Sequence, residues 1–85
     1  MIEAYFPKSP EYDPVLRYLE KHQSHCRIDR SRAYYTVVTS DVPILIHKRH
    51  LRMRTANWHT MFAGGLKGKI MRFDMDIIRV EPEDE

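Results

Sequence analysis

Residues 47–59 hold the densest group of side chains that could bind an anion. The segment, HKRHLRMRTANWH, contains four Lys or Arg residues and three His residues. Lysine and arginine contact phosphate groups directly, and each contact releases counterions condensed on a nucleic acid, so the binding depends on salt. Histidine can add positive charge near neutral pH. The segment is therefore the first candidate for a surface that binds a polyanion.

Basic residues on both sides of this segment could extend the surface. We expect them to contact the phosphate backbone or the overall shape of DNA or RNA, because no motif for reading bases is present. The same patch could instead face a protein, or could serve only as a solvated surface. The predicted central contacts are Lys48, Arg49, Arg52 and Arg54, and the predicted outer contacts are Arg30, Arg32, Lys67 and Lys69.

Two adjacent tyrosines could add contacts to bases. Tyr34 and Tyr35 lie in a segment with strand character, so their rings should point to opposite faces of a sheet. One ring would then lie on the side that the helices do not cover, where it could stack on an unpaired base. In the alternative, both rings pack into the core, as does Trp58.

Several histidines raise the question of a metal site. His22 and His25 form an H-x-x-H pair beside Cys26, and His47 and His50 form a second pair. Zinc accepts both imidazole nitrogen and thiolate sulfur. The chain has one cysteine and no C-x-x-C pair, however, so the partner spacing of a structural zinc site is missing. We therefore predict no metal and no cofactor.

Two further patterns could support catalysis. Asp74 and Asp76 would share one face of a strand and could hold a divalent cation, with Arg72 as a competing ion-pair partner. Histidines beside arginines can also act as a general acid or base, as in some small nucleases. No spacing matches a defined nuclease motif, so we predict a protein without enzymatic activity. The histidines concerned are His47, His50 and His59.

The glycine-rich stretch GGLKGK, residues 64–69, does not fit a phosphate-binding loop of the Walker type. Such a loop follows a strand, opens a helix and carries Ser or Thr after its lysine. Here Ile70 follows Lys69 and leads into a predicted strand. We expect a helix stop at the double glycine followed by a basic loop.

Length and composition limit the protein to one small domain. The chain has 85 residues, 42% of them hydrophobic, and a formal net charge of +2. We expect residues 1–80 to form the domain and residues 81–85, EPEDE, to form an acidic tail. The single cysteine fits a reducing compartment, and no signal peptide or membrane span is recognised, so the expected location is the cytoplasm. The small core leaves a homodimer as an open alternative.

Alternation of apolar residues and the positions of turn residues predict four strands. These cover residues 2–6, 33–39, 42–47 and 69–80. The second strand is apolar on both faces, which is typical of a central strand, and we expect it to form a hairpin with the third. A helix should run from Asp13, as N-cap, through Pro14 to about Gln23. A polar loop should follow over residues 24–32, in which residues 26–28 could form a brief extended piece.

The basic segment itself allows two structures. A helix over residues 49–63 would place Leu51, Trp58 and Phe62 on one side and would end at the double glycine. A continued strand would instead bury Leu51 and Met53 after a bulge near residues 48–49. The helix is favoured because its spacing continues through Phe62 to a breaker, although Thr55 could also cap a shorter helix.

These elements predict an α+β fold in the order β-α-β-β-α-β. An antiparallel sheet would carry two helices on one face, the split βαβ or ferredoxin-like arrangement. Together with the basic surface, this predicts a small, non-enzymatic nucleic-acid-binding protein. The alternative is a protein-binding regulator, a compact inhibitor or adaptor that acts by occluding a macromolecular partner.

Overall fold

The structure is a computed structural model that describes residues 1–83. It contains seven strands and two helices. In chain order these are β1 (Ile2–Pro7), α1 (Asp13–His22), β2 (Arg27–Asp29), β3 (Tyr35–Ser40), β4 (Ile44–His47), α2 (Thr55–His59), β5 (Leu66–Lys67), β6 (Lys69–Phe73) and β7 (Ile77–Glu81). The predicted tail at residues 81–85 overlaps this fold at Glu81, which ends β7, and its last two residues lie outside the described part.

The strands form two antiparallel sheets, so the predicted α+β class is confirmed. The four-stranded sheet has the order β2-β3-β1-β5, and the three-stranded sheet has the order β4-β7-β6. The ferredoxin-like order is not confirmed, because the strands divide between two sheets and three further short or split strands are present. Strand β3 is flanked on both sides by β1 and β2, as predicted for a central strand.

One hydrophobic core lies between the two sheets and α1. The inner face of β1 contributes Ile2, Ala4 and Phe6, which alternate with half-buried residues as a strand with one buried face requires. The other sheet contributes Ile46 and Ile78 to the same cluster. Burying each large aliphatic side chain contributes about 1.5–3 kcal/mol, so this shared core is what joins the two sheets.

Helix α1 buries the predicted stripe of Val15, Leu16 and Leu19. It begins at Asp13, which is therefore a residue of the first turn and not the N-cap. The reason is that a 3-10 turn, Pro10–Tyr12, leads directly into the helix, so no extended residue precedes it. The helix start nevertheless keeps the expected proline in its first turn.

The predicted hairpin between residues 33–39 and 42–47 is wrong. Strand β3 pairs with β1 and β2, whereas β4 pairs with β7. Between them the chain turns a corner at Ser40, whose hydroxyl donates to the carbonyl of Val42 (2.7 Å) and accepts from its N–H (3.1 Å). The following Pro43 has no N–H to continue a ladder, so the chain passes into the second sheet.

The single strand predicted for residues 69–80 is a hairpin. Strands β6 and β7 pair with each other, and residues 74–76 form the turn between them. The Oδ1 atom of Asp74 accepts hydrogen bonds from the N–H groups of Asp76 (2.8 Å) and Ile77 (2.9 Å). This local side-chain bonding turns the chain where apolar alternation alone predicts extension.

The favoured helix over residues 49–63 is also wrong in most of its length. Residues 48–50 form a 3-10 turn, residues 51–54 are extended, and α2 occupies only Thr55–His59. Leu51 and Met53 are buried, as the alternative interpretation expected, and they alternate with two exposed arginines. Burial in this segment therefore alternates between successive residues, as it does in a strand. This packing against the core overrides the spacing of apolar residues that predicts a helix.

Candidate nucleic-acid interface

The exposed face of α1 carries a row of basic and aromatic side chains. Each residue of this row lies three or four positions from another member along the helix; the row consists of Pro14, Arg17, Tyr18, Lys21 and His22. Residues at these spacings are neighbours on a helix surface, so they form a continuous strip. Arg17, Lys21 and His22 are exposed to solvent.

The extended segment beside α1 completes a basic groove. His50 and Arg52 join the strip on α1, and the hollow between them has a volume of about 280 Å³. We call it the α1 groove, and define it by its lining residues. These are Pro14, Arg17, Tyr18, Lys21, His22, His50 and Arg52. No carboxylate lines the groove, and its three fixed cations make no ion pair within residues 1–83.

Tyr18 forms the floor of the α1 groove. Its ring is buried, and its hydroxyl donates to the carbonyl of Leu45 on β4 (3.2 Å). The imidazole of His50 stacks on this ring at 6.3 Å between centroids with planes 19° apart, and that of His22 lies 5.0 Å away. Two imidazole rings thus lie against a fixed tyrosine, beside the cations of the groove.

A second hollow continues the α1 groove towards α2. It shares Pro14 and Arg52 with the groove and adds Arg54 and the carboxylate of Glu11. Arg52 and Arg54 point the same way because they are two residues apart in an extended segment. The structure therefore brings together two of the four predicted central contacts, and it joins them to α1.

The other two central residues lie elsewhere. Lys48 is half-buried, and its backbone N–H donates to the carbonyl of Asp76 (2.9 Å). Arg49 is exposed in a separate hollow whose lining includes His47 and the carboxylate of Asp76. The 3-10 turn that replaces the predicted helix is what separates Arg49 from Arg52.

The predicted outer contacts are spread over the loop between β2 and β3 and over both sheets. Arg30 forms an ion pair with Glu20, and the guanidinium of Arg32 lies 6.0 Å above the ring of Tyr5. Lys67 on β5 is opposite Glu3 in the four-stranded sheet. In the other sheet, the register pairs Lys69 with Glu81. None of these four lines the α1 groove.

Three of the candidate metal and catalytic side chains, those of Asp74, Cys26 and His25, are engaged or shielded by their neighbours. The Oδ2 atom of Asp74 accepts from Arg72 Nε (2.6 Å), and this bond, with the two backbone N–H donors in the turn, lowers the pKa of Asp74 to about 2. Burial raises the pKa of the Cys26 thiol to about 11. His25 Nε2 lies 3.1 Å from the carbonyl oxygen of Pro43. Among residues 1–83, no three His, Cys, Asp or Glu side chains converge as metal ligands do.

Arg17 and Lys21 were not predicted as contacts. The sequence feature that indicates them is the helical spacing of basic residues on α1, on the side away from its buried stripe. The pairing of this helix with residues 50–54 has no local sequence signal, because it depends on how α1 packs beside β4.

Comparison with known proteins identifies no relative. No model of a protein family matches the chain, and no curated protein and no solved structure matches it. Within the described residues, no helix has both the length and the apolar character needed to cross a membrane.

Proposed function

We propose that the protein binds nucleic acid through phosphate contacts made in the α1 groove. The observation that carries the proposal is the convergence of Arg17, Lys21 and Arg52 on one hollow without a lining carboxylate. Cations gathered in a concave surface raise the local concentration of anions, and each phosphate contact adds affinity by counterion release. Arg54 extends the same surface beyond the groove.

The proposed role is binding without catalysis. The carboxylate that the sequence favours as a ligand of a catalytic cation is that of Asp74. It already accepts hydrogen bonds from the side chain of Arg72 and from two backbone N–H groups. The groove contacts are cations and imidazoles, which suit recognition of a phosphate backbone and carry no information about base sequence. The single cysteine, Cys26, allows no disulfide within the chain, which fits the cytoplasmic setting that we propose for this role.

The test compares two variants that lose the same charge. Arg17→Gln with Arg52→Gln removes two cations from the α1 groove, and Arg72→Gln with Arg79→Gln removes two cations on β6 and β7. Affinity for a generic DNA duplex is measured by fluorescence anisotropy over a series of salt concentrations. The groove variant should bind more weakly, and its slope of log affinity against log salt should fall by about 1.8, since each duplex contact contributes about 0.9.

The control variant should keep most of the affinity and the slope of the native protein. Equal losses in the two variants would show that net charge alone drives binding, and the α1 groove would then be the wrong surface. A further comparison separates Arg49 from Arg52. Arg52→Gln should weaken binding more than Arg49→Gln, because Arg49 shares its hollow with a carboxylate and lies outside the groove.

A protein-binding regulator is the second candidate function, and the free edge of β6 favours it. Within residues 1–83 this strand pairs only with β7, and Ile70 (47% exposed), Met71 (48%) and Met75 (48%) present apolar surface on the hairpin. The opposite edge strand, β4, is instead covered by α1: the Tyr18 hydroxyl donates to the carbonyl of Leu45, and the N–H of Leu45 donates to Oε1 of Gln23. An uncovered apolar edge can accept a strand from another chain, including a second copy.

The two candidates differ in what remains after nuclease treatment. If the protein acts on a protein partner, an affinity pull-down from nuclease-treated lysate should retain that partner, and Ile70→Lys should lose it. A partner that is bridged only by nucleic acid should disappear from the pull-down after the same treatment, and its loss should not depend on Ile70.

A further inference from the structure

Two histidines of the α1 groove lie side by side although they come from separate elements. His22 belongs to the last turn of α1, and His50 belongs to the 3-10 turn after β4. Their ring centroids are 6.1 Å apart, and both rings adjoin that of Tyr18. Both side chains are exposed, so their ring nitrogens can exchange protons with solvent and contact a bound molecule.

The surroundings of this histidine pair are predominantly positive. On the other side of His50 lies a third imidazole, whose centroid is 5.9 Å away. Two further cations, Lys48 and Arg49, belong to the same 3-10 turn as His50. The titratable and charged side chains that face the pair from the adjoining elements are Arg17, Tyr18 and Lys21 on α1, His47 on β4, and Arg52 in the extended segment.

The acidic side chains near the groove lie in other hollows. Among residues 1–83, no carboxylate lines the α1 groove itself. Glu11 lines the adjoining hollow towards α2, and Asp76 lines the hollow that contains His47. Of the two acids on α1, Asp13 lines a third hollow and Glu20 forms an ion pair with a residue outside the groove.

The histidine pair therefore lacks an internal counter-charge. In the described part of the chain, neither imidazole forms an ion pair with an acid. The carbonyl end of α1 favours a positive charge at His22, whereas the nearby cations repel one on either ring. A phosphate group that enters the groove would supply the negative charge that a protonated pair needs.

We propose that nucleic-acid binding in the α1 groove is coupled to protonation of His22 and His50, so that affinity rises as the pH falls from 8 to 6. The coupling rests on the proposed function, since it takes the α1 groove as the binding site, and it adds a regulation of that site. Imidazole changes its charge in this pH range, whereas backbone phosphates stay ionised. Proton and nucleic acid are then coupled ligands, and each raises the affinity for the other by the same factor.

The test measures affinity for a generic DNA duplex by fluorescence anisotropy at pH 6 and pH 8, with the ionic strength held constant. For the native protein, the ratio of the two affinities should be about five or more in favour of pH 6, which is the lower end of typical coupling between two ligands. The slope of log affinity against log salt should also be steeper at pH 6, by up to about 1.8 for two added phosphate contacts.

Replacing both imidazoles with side chains that do not titrate should remove the coupling. His22→Gln with His50→Gln keeps polar side chains at both positions, and it should bring the affinity ratio towards one and the two salt slopes together. The matched control is His25→Gln with His59→Gln, which removes two exposed histidines that do not line the groove and should keep the native ratio. Thermal melting at both pH values checks that each variant is folded.

The coupling and the proposed function fail in different ways. An unchanged native affinity between pH 8 and pH 6 would overturn the coupling, and so would a native ratio in the His22→Gln/His50→Gln variant or an equal loss in its control. The proposed function would stand after any of these results if the Arg17→Gln/Arg52→Gln variant lost duplex affinity at pH 8. A normal duplex affinity of that arginine variant would instead overturn the α1 groove as the binding surface, and the coupling with it.

Discussion

At the scale of single residues, two side chains with reactive chemistry have their properties set by their neighbours. Asp74 is exposed, yet its carboxylate is held ionised by Arg72 and by two backbone N–H groups. Cys26 is half-buried, and the loss of solvent stabilises its neutral thiol over the thiolate. Residue type alone would make both groups candidates for catalysis, whereas their surroundings bind Asp74 into its turn and favour the neutral form of the Cys26 thiol.

The turn at Asp74 predicts a dependence of stability on acid. Its pKa is lowered from 3.8 to about 2, so the folded state binds this proton less readily than the unfolded state does. The stabilising contribution is therefore present above about pH 4 and is lost as the pH falls towards 2. Asp74→Ala should lower the melting temperature at pH 7 more than Asp74→Asn, because asparagine keeps an oxygen that can accept the turn N–H bonds.

Acid titration of the three proteins checks this prediction. The native protein should lose stability between pH 4 and pH 2 more steeply than either variant. If Asp74→Asn and Asp74→Ala are equally destabilised at pH 7, the backbone bonds to the side chain contribute nothing, and the charge contact with Arg72 is the stabilising part.

The thiol of Cys26 should react slowly with alkylating reagents. Its pKa is raised from 9.0 to about 11, so little thiolate is present at pH 8 in the folded protein. The rate of alkylation should rise with pH until about 11, whereas the urea-unfolded protein should show the ordinary thiol profile. A folded protein that alkylates at the unfolded rate at pH 8 would show that burial does not protect this thiol.

At the scale of elements, α2 is too short to be stable alone and depends on one buried side chain. Trp58 is fully buried, and its Nε1–H donates to the carbonyl of Asp74 (2.7 Å) in the β6–β7 turn. A helix of five residues has few internal bonds, so tertiary packing must supply its stability. The extended segment before it is fixed in the same way by Leu51 and Met53.

Trp58→Phe should therefore destabilise the fold by about 1–3 kcal/mol, through the lost hydrogen bond and the smaller ring. Urea denaturation followed by circular dichroism measures the change. His59→Ala, at the exposed neighbouring position of α2, is the control and should change stability by less than about 0.5 kcal/mol. Similar losses in both variants would indicate that the helix itself, and not the tryptophan, is the stabilising element.

At the scale of the whole molecule, the two sheets share one core and should unfold together. Ile2 on β1 and Ile78 on β7 belong to the same buried cluster, and the radius of gyration is 11.7 Å. Cooperative unfolding is the expected behaviour of a small domain with a single core. The α1 groove also depends on this packing, because its two sides belong to α1 and to the segment after β4.

Ile2→Ala should lower the free energy of unfolding by about 2–5 kcal/mol, because the residue is fully buried. Trp58 lies on α2 and bonds to the β6–β7 turn, so its fluorescence reports on α2 and the second sheet. Transitions measured by Trp58 fluorescence and by circular dichroism should coincide, and Ile2→Ala should shift both to the same lower urea concentration. A shift in circular dichroism alone would show that the sheets unfold separately.

The candidate site was only partly predictable from the sequence. Arg52 and Arg54 were predicted as contacts and line adjoining hollows, while Arg49 and Lys48 lie outside the α1 groove. Arg17 and Lys21 were missed because the second side of the groove comes from a distant part of the chain. The hydrogen bonds of Tyr18 and Gln23 to β4 fix α1 beside that part of the chain, and no local pattern encodes them.

The sequence by itself determined the spacing of buried residues within single strands and helices. It was sufficient for β1, for the buried stripe of α1 and for the central strand β3, since each of these needs only a repeat of apolar residues within one segment. It also determined the mixed α+β class. Only the tertiary structure decided that β4 joins β7, that residues 51–54 are extended, and that α1 faces Arg52. Strand pairing and helix packing depend on the total apolar surface that the whole chain buries. The free energy of this burial can override the conformational preference of any one segment.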